Sequence, residues 1–402
     1  MIKLASFDNC TGCGACSFVC SRSAIILKPN NVGVVLPEID HSKCVQCGQC
    51  QRVCPSLNPP ELFKPLKAYA GWNNKTNERV TSASGAIASA AYKIAIEKGW
   101  NIAGAIQKKD FSVDVVVSDK AEDIALFKNS KYVFSSISLL LPRIKQNIED
   151  RKKTLVIALP CQIAAIRKCF PGNTNLLILA DLVCHGCTPH SYLSQHIKNI
   201  EDQKGKKAES MSFRDPRFNT YTYTFTLYED NGEIIYAKRT KDGDVYQVAY
   251  HRMISYRENC FNCHYARPER VGDFTLADYS SLGQKSKFEY NKINCSCILV
   301  NTKNGQDFLY SLIENEMITA VERPIEEPTE GNSQLQRHCK KSKARRYFEK
   351  QIEENNGDFV KTMDMVFPFY LKEQRRDLIL SFPRRSFSLL KEILIKIKRK
   401  IS

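Results

Sequence analysis

Cysteine is the residue whose spacing points most directly to chemistry. Cys10, Cys13, Cys16 and Cys20 read C-x2-C-x2-C-x3-C; Cys44, Cys47, Cys50 and Cys54 read the same, with Pro55 next. The second block is the first displaced by 34 residues, and Gly14 and Gly48 fall at matching places. Thiolates hold iron–sulfur clusters, and spacers of two residues let three sulfurs of one tight loop reach three corners of one iron cube. Glycine removes the Cβ where the backbone must fold closely around the cluster. Zinc takes four ligands and has no need of two such runs. The spacing therefore predicts two [4Fe–4S] clusters.

The duplicated block resembles the bacterial two-cluster ferredoxin. The fourth cysteine of each run lies too far along to close its own loop, so it crosses over. Cys10, Cys13, Cys16 and Cys54 are assigned to one cluster, and Cys44, Cys47, Cys50 and Cys20 to the other. Ser21 stands where a proline usually follows, which removes no ligand. Residues 25–39 alternate enough for a hairpin around Asn30-Asn31. Such a module carries single electrons and does no organic chemistry itself.

The elements that position the remaining cysteines come next. A continuous apolar run over 154–159 reads as a buried strand, followed by a helix to Cys169 and a second buried strand over 175–183. Strand, helix and strand in this rhythm suggest a parallel α/β unit, whose ligands gather at the carboxyl ends of the strands. Cys161 and Cys184 fall at those ends. Cys260 and Cys263 add a C-x2-C pair, with Arg267 and Arg270 close behind. Four thiolates at one place would make a third cluster, with Cys187 as a rival ligand. The alternative leaves Cys161 and Cys184 as buried free thiols, with Cys260 and Cys263 binding zinc or forming a redox pair. Cys169, Cys295, Cys297 and Cys339 read as structural. Earlier, a strand over 68–72 leads to the small-residue loop 81–86 and a helix over 87–98; strands follow over 102–106 and 113–117. That loop is either a phosphate cradle or a simple N-cap by Ser84.

Eight ordered segments resemble the coenzyme F420 hydrogenase/dehydrogenase beta subunits. They are Ser82-Ala83-Ser84-Gly85, Lys131-Tyr132-Val133, the stretch Leu159–Ala165, the stretch Asp181–Gly186, Ser212-Phe213-Arg214-Asp215, Cys260-Phe261-Asn262-Cys263, the stretch Gly272–Tyr279, and Val300-Asn301-Thr302. The resemblance spans about residues 1–335 and implies a flavoprotein. FAD would lie beside a cluster, with Ser82, Ser84, Gly85, Lys131 and Tyr132 near the cofactor. His185 and His264 are proton-donor candidates, and no other catalytic residue is assigned. The relatives evoked by this arrangement are of the bacterial polysaccharide-synthesis type. Ala86 replaces a usual second glycine, and Ala277-Asp278-Tyr279-Ser280 departs from Gly-Asp-aromatic-Trp.

Composition bounds the reading. The chain has 402 residues, 43% hydrophobic and 25% charged, which excludes disorder. No apolar run approaches a membrane span, and Met1–Asn9 has no export layout. A cytoplasmic oxidoreductase is expected, where cysteines serve metal or redox chemistry. The net charge is +16, but residues 337–402 alone hold 18 basic and 8 acidic side chains. The fold class expected is α+β: a two-cluster ferredoxin-like domain over 1–60, a mixed α/β flavin-binding domain over 61–335, and a basic, partly helical C-terminal tail over 336–402. Apolar spacing over 386–400 predicts a helix. It packs on its own domain, lies peripherally on an anionic inner-membrane surface, or docks an acidic partner such as ferredoxin. No motif for nucleic acid accompanies the charge. The function expected is electron passage between [4Fe–4S] clusters and FAD to reduce or oxidise a small organic substrate. The alternative is an electron-transfer subunit or redox-sensing module without a substrate of its own.

Overall fold

A computed structural model describes residues 2–377 of the chain. The helix expected over 386–400 lies outside the described residues.

The N-terminal segment is a hairpin of β1 (Ile25–Pro29) and β2 (Val35–Ile39), with one-turn helices at Ala15–Phe18 and Gln49–Arg52. Each helix is entered through a glycine in the left-handed region, Gly14 at φ 78° and Gly48 at φ 75°. A Cβ there would crowd the following carbonyl. The repeat in the sequence is thus a repeat in the backbone.

Twelve further strands follow in chain order: β3 (Lys67–Asn73), β4 (Asn101–Gln107), β5 (Val113–Ser118), β6 (Ser135–Ser136), β7 (Thr154–Ala158), β8 (Leu177–Leu182), β9 (Ser210–Ser212), β10 (Thr224–Tyr228), β11 (Ile234–Arg239), β12 (Phe274–Asp278), β13 (Ser296–Val300) and β14 (Ile318–Arg323). Nine form one mixed sheet in the order β14-β3-β13-β12-β8-β7-β4-β5-β6, and β11-β10-β9 form a small antiparallel sheet. At the centre β12, β8, β7 and β4 run parallel. Every position of β7 is buried, as its unbroken apolar run requires of a strand covered on both faces. Leu155 and Ile157 face the helices Ile87–Glu97 and Lys303–Glu314. Val156 and Ala158 face Leu140–Glu149 and Pro160–Cys169 on the other side. The period of two in β7 thus divides the core. The expected mixed α/β body is present.

Two domain borders drawn from sequence do not separate the packing. Val32 and Val34 of the hairpin share a core with Tyr192, Phe225, Phe348 and Phe359, while Ala15 packs among Leu140, Leu141 and Ile163. The region set apart as a basic tail from residue 336 enters the same core through Ala344, Phe348, Ile352, Phe359, Met363 and Val366. Its helix Lys343–Glu354 is amphipathic, and the apolar stripe decides its place. Part of the basic run turns inward as well. Arg345 is 5% exposed and its Nη2 meets Glu258 Oε2 at 2.9 Å, with Lys341 on the other carboxylate oxygen. Among the described residues no helix is long and apolar enough to cross a membrane.

Candidate functional site

Cys10, Cys13, Cys16 and Cys54 line one small cavity with Gly12 and Ala15. These are three cysteines of the first run and the last of the second, the set predicted by crossing over. Burial raises the Cys10 thiol, and the Cys13 thiol to about 11, and the neighbouring Cys54 adds to both shifts. In the other set Cys44 and Cys47 stand beside the buried Cys50. Cys47 is exposed, and Cys20 Sγ accepts from the Ala24 amide at 3.3 Å. Among the described residues no three His, Cys, Asp or Glu side chains converge on the position of a single metal ion. The first-set cysteines line one shared space, as four thiolates around a cube would.

A second cavity is lined by Cys161, Cys184, Cys187, Cys260 and Cys263, together with Cys13. Three separate parts of the chain supply the first five of these thiols, and the N-terminal loop supplies Cys13. Cys161 follows β7 and opens the helix Pro160–Cys169, whose first turn is closed by Gln162 Oε1 accepting from the Leu159 amide at 3.0 Å. Cys184 follows β8. A buried ion pair holds the Cys260–Cys263 loop against β8. Arg270 Nη2 donates to Asp181 Oδ1 at 2.7 Å, and Asp181 Oδ2 accepts from the Val271 and Gly272 amides at 3.1 and 2.7 Å. Arg270 Nη1 also donates to the carbonyl of Tyr265 at 3.0 Å. Cys184 Sγ donates to the Gly186 carbonyl at 3.8 Å, and the Cys187 amide donates to Cys260 Sγ at 3.4 Å; the two neighbouring thiols shift one another, Cys184 down and Cys187 up. Both therefore belong to the site. Cys339, read from sequence as structural, is buried beside it and its Sγ donates to the Cys260 carbonyl at 3.6 Å. His264 lies at the exposed rim of this cavity.

A third cavity, of about 610 Å3, opens at the ends of β7, β8 and β12 and the start of β13. That size falls among small-molecule and cofactor sites. Ser82 and Ser84 line it, and so do Ala86, Ala88 and Ser89 at the start of the helix Ile87–Glu97. The N-cap of that helix is Ala86, at φ 59°, with no side chain capping it. The Ser84 cap weighed from sequence is not formed: Ser84 Oγ donates to the Cys295 carbonyl at 3.0 Å. The helix therefore presents uncapped N–H groups to the cavity, as a phosphate would require, while the neighbouring Lys128 Nζ already meets Glu78 Oε2 at 3.1 Å and Thr81 Oγ1 at 3.0 Å. Gly85 is a correction. It does not line the cavity, its amide donates to Ser296 Oγ at 2.9 Å, and a Cβ there would stand 2.3 Å from the Gly71 carbonyl. Its glycine serves the close approach of the loop to β3 and β13. Lys131 lines the cavity, but its Nζ donates to the carbonyls of Leu126 and Lys128 at 3.1 and 2.8 Å, and burial lowers it to about 8. Tyr132 stacks on Tyr250, centroids 4.5 Å apart, and forms one wall.

His185 lines both the five-cysteine cavity and the large one, and burial lowers its pKa while Asp278 works against the shift. Sequence reasoning assigned no role to three neighbours. Arg214, whose Nη1 meets Asp278 Oδ2 at 2.7 Å, lies over the Tyr223 ring at 4.7 Å. His251 is edge-on to Tyr223 and Tyr132, and burial takes it down to about 4. The stretch Ser212–Asp215 and Asp278 were visible as motifs; His251 carried no sequence signal.

Residues 151–326 match the family model for the C terminus of the coenzyme F420 hydrogenase/dehydrogenase beta subunit. Two 4Fe-4S dicluster domain models match residues 9–58 and 36–110. The F subunit of the F(420)H(2) dehydrogenase of Methanosarcina mazei is 23% identical over 276 residues, covering 65% of this chain and 73% of that protein. Coenzyme F420-dependent sulfite reductase of Methanocaldococcus jannaschii is 28% identical over 165 residues, 40% of this chain and 25% of that protein. A chain of the F420-reducing [NiFe] hydrogenase complex of Methanosarcina barkeri aligns over 78% of this chain and 94% of its own length, with 17% identity and a TM-score of 0.43.

Proposed function

Starting from an iron–sulfur electron-transfer oxidoreductase related to coenzyme F420 hydrogenase/dehydrogenase subunits, we propose that this chain joins three cluster sites to one flavin site. In this reading it passes electrons between a protein partner and a small organic substrate. The observation that carries the reading is a shared wall. Leu159, Cys184, His185, Gly186 and Cys187 line both the five-cysteine cavity and the large cavity, so a cluster in one would lie against a ligand in the other. A bound FAD would convert single-electron traffic into two-electron chemistry.

The chain's own residues then have definite tasks. The uncapped end of the helix Ile87–Glu97 receives the phosphates, with Lys128, paired with Glu78, beside it. Tyr132 and Tyr250 supply an apolar wall. His185 and His251, both held neutral by burial, hold or deliver a proton at the far end beside Arg214 and Asp278. The second N-terminal set reaches the surface at Cys47, next to the exposed Val45, which is where an electron-carrying partner would meet the chain. The polysaccharide role expected from the resemblance rests on that resemblance alone.

Acid-released flavin from anaerobically purified protein tests this. About one FAD per chain is expected, falling several-fold in Ala88→Asp, which sets a carboxylate at the uncapped helix end. A full iron load without flavin would instead favour an electron-transfer subunit with no substrate of its own.

A further inference from the structure

Five arginines are buried among the described residues: Arg214, Arg257, Arg270, Arg323 and Arg345. Four of them meet a carboxylate: Arg214 on Asp278, Arg270 on Asp181, Arg323 on Glu327 and Arg345 on Glu258. Arg257 does not. Although it is 2% exposed, its Nε donates to Asn259 Oδ1 at 3.3 Å and its Nη2 to the carbonyls of Cys10 and Val35 at 3.4 and 3.1 Å. Its Nη1 is buried with no partner among the described residues. The ring of Phe134 covers the guanidinium at 4.4 Å. A buried cation without an anion is costly, and proteins pair such charges or let them serve a bound ion.

Its position suggests what the anion is. The backbone of Arg257 belongs to the five-cysteine site: its amide donates to the Cys187 carbonyl at 2.8 Å, and its carbonyl accepts from the Cys260 amide at 3.0 Å. The guanidinium reaches across to the first N-terminal loop. A Cβ on Gly12 would stand 2.8 Å from Nη2 and 3.3 Å from Nη1. This uncompensated cation therefore lies between the Cys10 set and the Cys260 set. An iron cube held by four thiolates is a net anion, and it gains one more negative charge on reduction.

We infer that Arg257 is the shared counter-charge of these two cluster sites, a positioning residue that raises the reduction potentials of both above that of the Cys44 set. The inference rests on the cluster reading of the cysteines. A fixed cation stabilises the more negative, reduced state, and low local dielectric strengthens the effect. Electrons entering at the surface set would then move inward toward the two inner sites.

Potentiometric titration of the anaerobic full-length protein, followed by electron paramagnetic resonance, tests this in wild type, Arg257→Gln and Arg257→Lys. With iron fully loaded, Arg257→Gln lowers two of the three potentials and leaves the third unchanged, while Arg257→Lys shifts them less. Unshifted potentials, an equal shift of all three, or equal effects of the two variants overturn the inference. If Arg257→Gln loses iron, Arg257→Lys decides: full iron with potentials near wild type supports the charge, and loss of iron there too overturns it. About eight irons in wild type is a separate failure, that of the third site; the inference then requires one of two potentials to fall.

Discussion

The first N-terminal cysteine set and the five-cysteine cavity use the same kind of ligand but are assembled in different ways. The first takes Cys10, Cys13 and Cys16 from one tight loop and borrows a single ligand, Cys54, from its repeat. The second gathers its thiols from the ends of β7 and β8 and from a loop beyond residue 257. Local spacing shapes the first. The second is shaped by a sheet whose parallel strands end together, and by Asp181 and Arg270 locking the loop to β8. The general lesson is that a cluster site made by one loop survives damage elsewhere, whereas one made by a fold fails with the fold's internal ties.

Asp181→Ala breaks the comparison most strongly. It leaves Arg270 as an uncompensated buried charge, so we expect a loss of about 3–5 kcal/mol in chemical unfolding. Iron should fall by roughly a third while the N-terminal sets keep theirs. Equal loss from all sets would mean the two kinds of site are not independent. Gly85→Ala comes next. The new methyl meets the Gly71 carbonyl and the Ser296 amide, and overpacking of this kind costs about 1–3 kcal/mol. Flavin retention should suffer through displacement of the loop, with iron unchanged.

Much of this was legible beforehand, and the rest has physical reasons for being hidden. The two cysteine runs, the hairpin at 25–39 and the strands ending at Cys161 and Cys184 could be read because each is local or strongly periodic. Ser82, Ser84, Lys131 and Tyr132 line the large cavity as a group, yet Gly85 proved to serve strand packing. A glycine that lets a ligand approach and one that lets a strand approach look alike in sequence. The inward turn of Lys341 and Arg345 was invisible for a similar reason: a basic run shows its charge but not the buried Glu258 that answers it. Arg257 and His251 owe their environments to contacts across the fold, which no spacing announces.

A smaller effect sharpens the account of the large cavity. His251 is held near 4 by burial, below the usual value of 6.5. Its folded pKa is depressed, so protonation favours the unfolded chain. The neutral histidine's contribution is intact above about 6.5 and is lost as pH falls toward 4. Wild type should therefore lose more stability than His251→Phe between pH 6.5 and 4 in parallel thermal melts; identical profiles would place His251 in water. Smallest is Ala86→Gly. The left-handed backbone at φ 59° disfavours a Cβ, so glycine should stabilise the fold by about 0.5–1 kcal/mol. An unchanged melting temperature would show that the strain is absent.

The central claim is that the five-cysteine cavity holds a cluster. Iron and acid-labile sulfide per chain, measured on anaerobically purified wild-type protein beside Cys184→Ser, test it most directly. The account predicts about twelve irons in wild type and about eight in the variant, if Cys184 rather than Cys187 is the ligand, or in Cys187→Ser if the roles are reversed. About eight irons in wild type, unchanged in both variants, would contradict it.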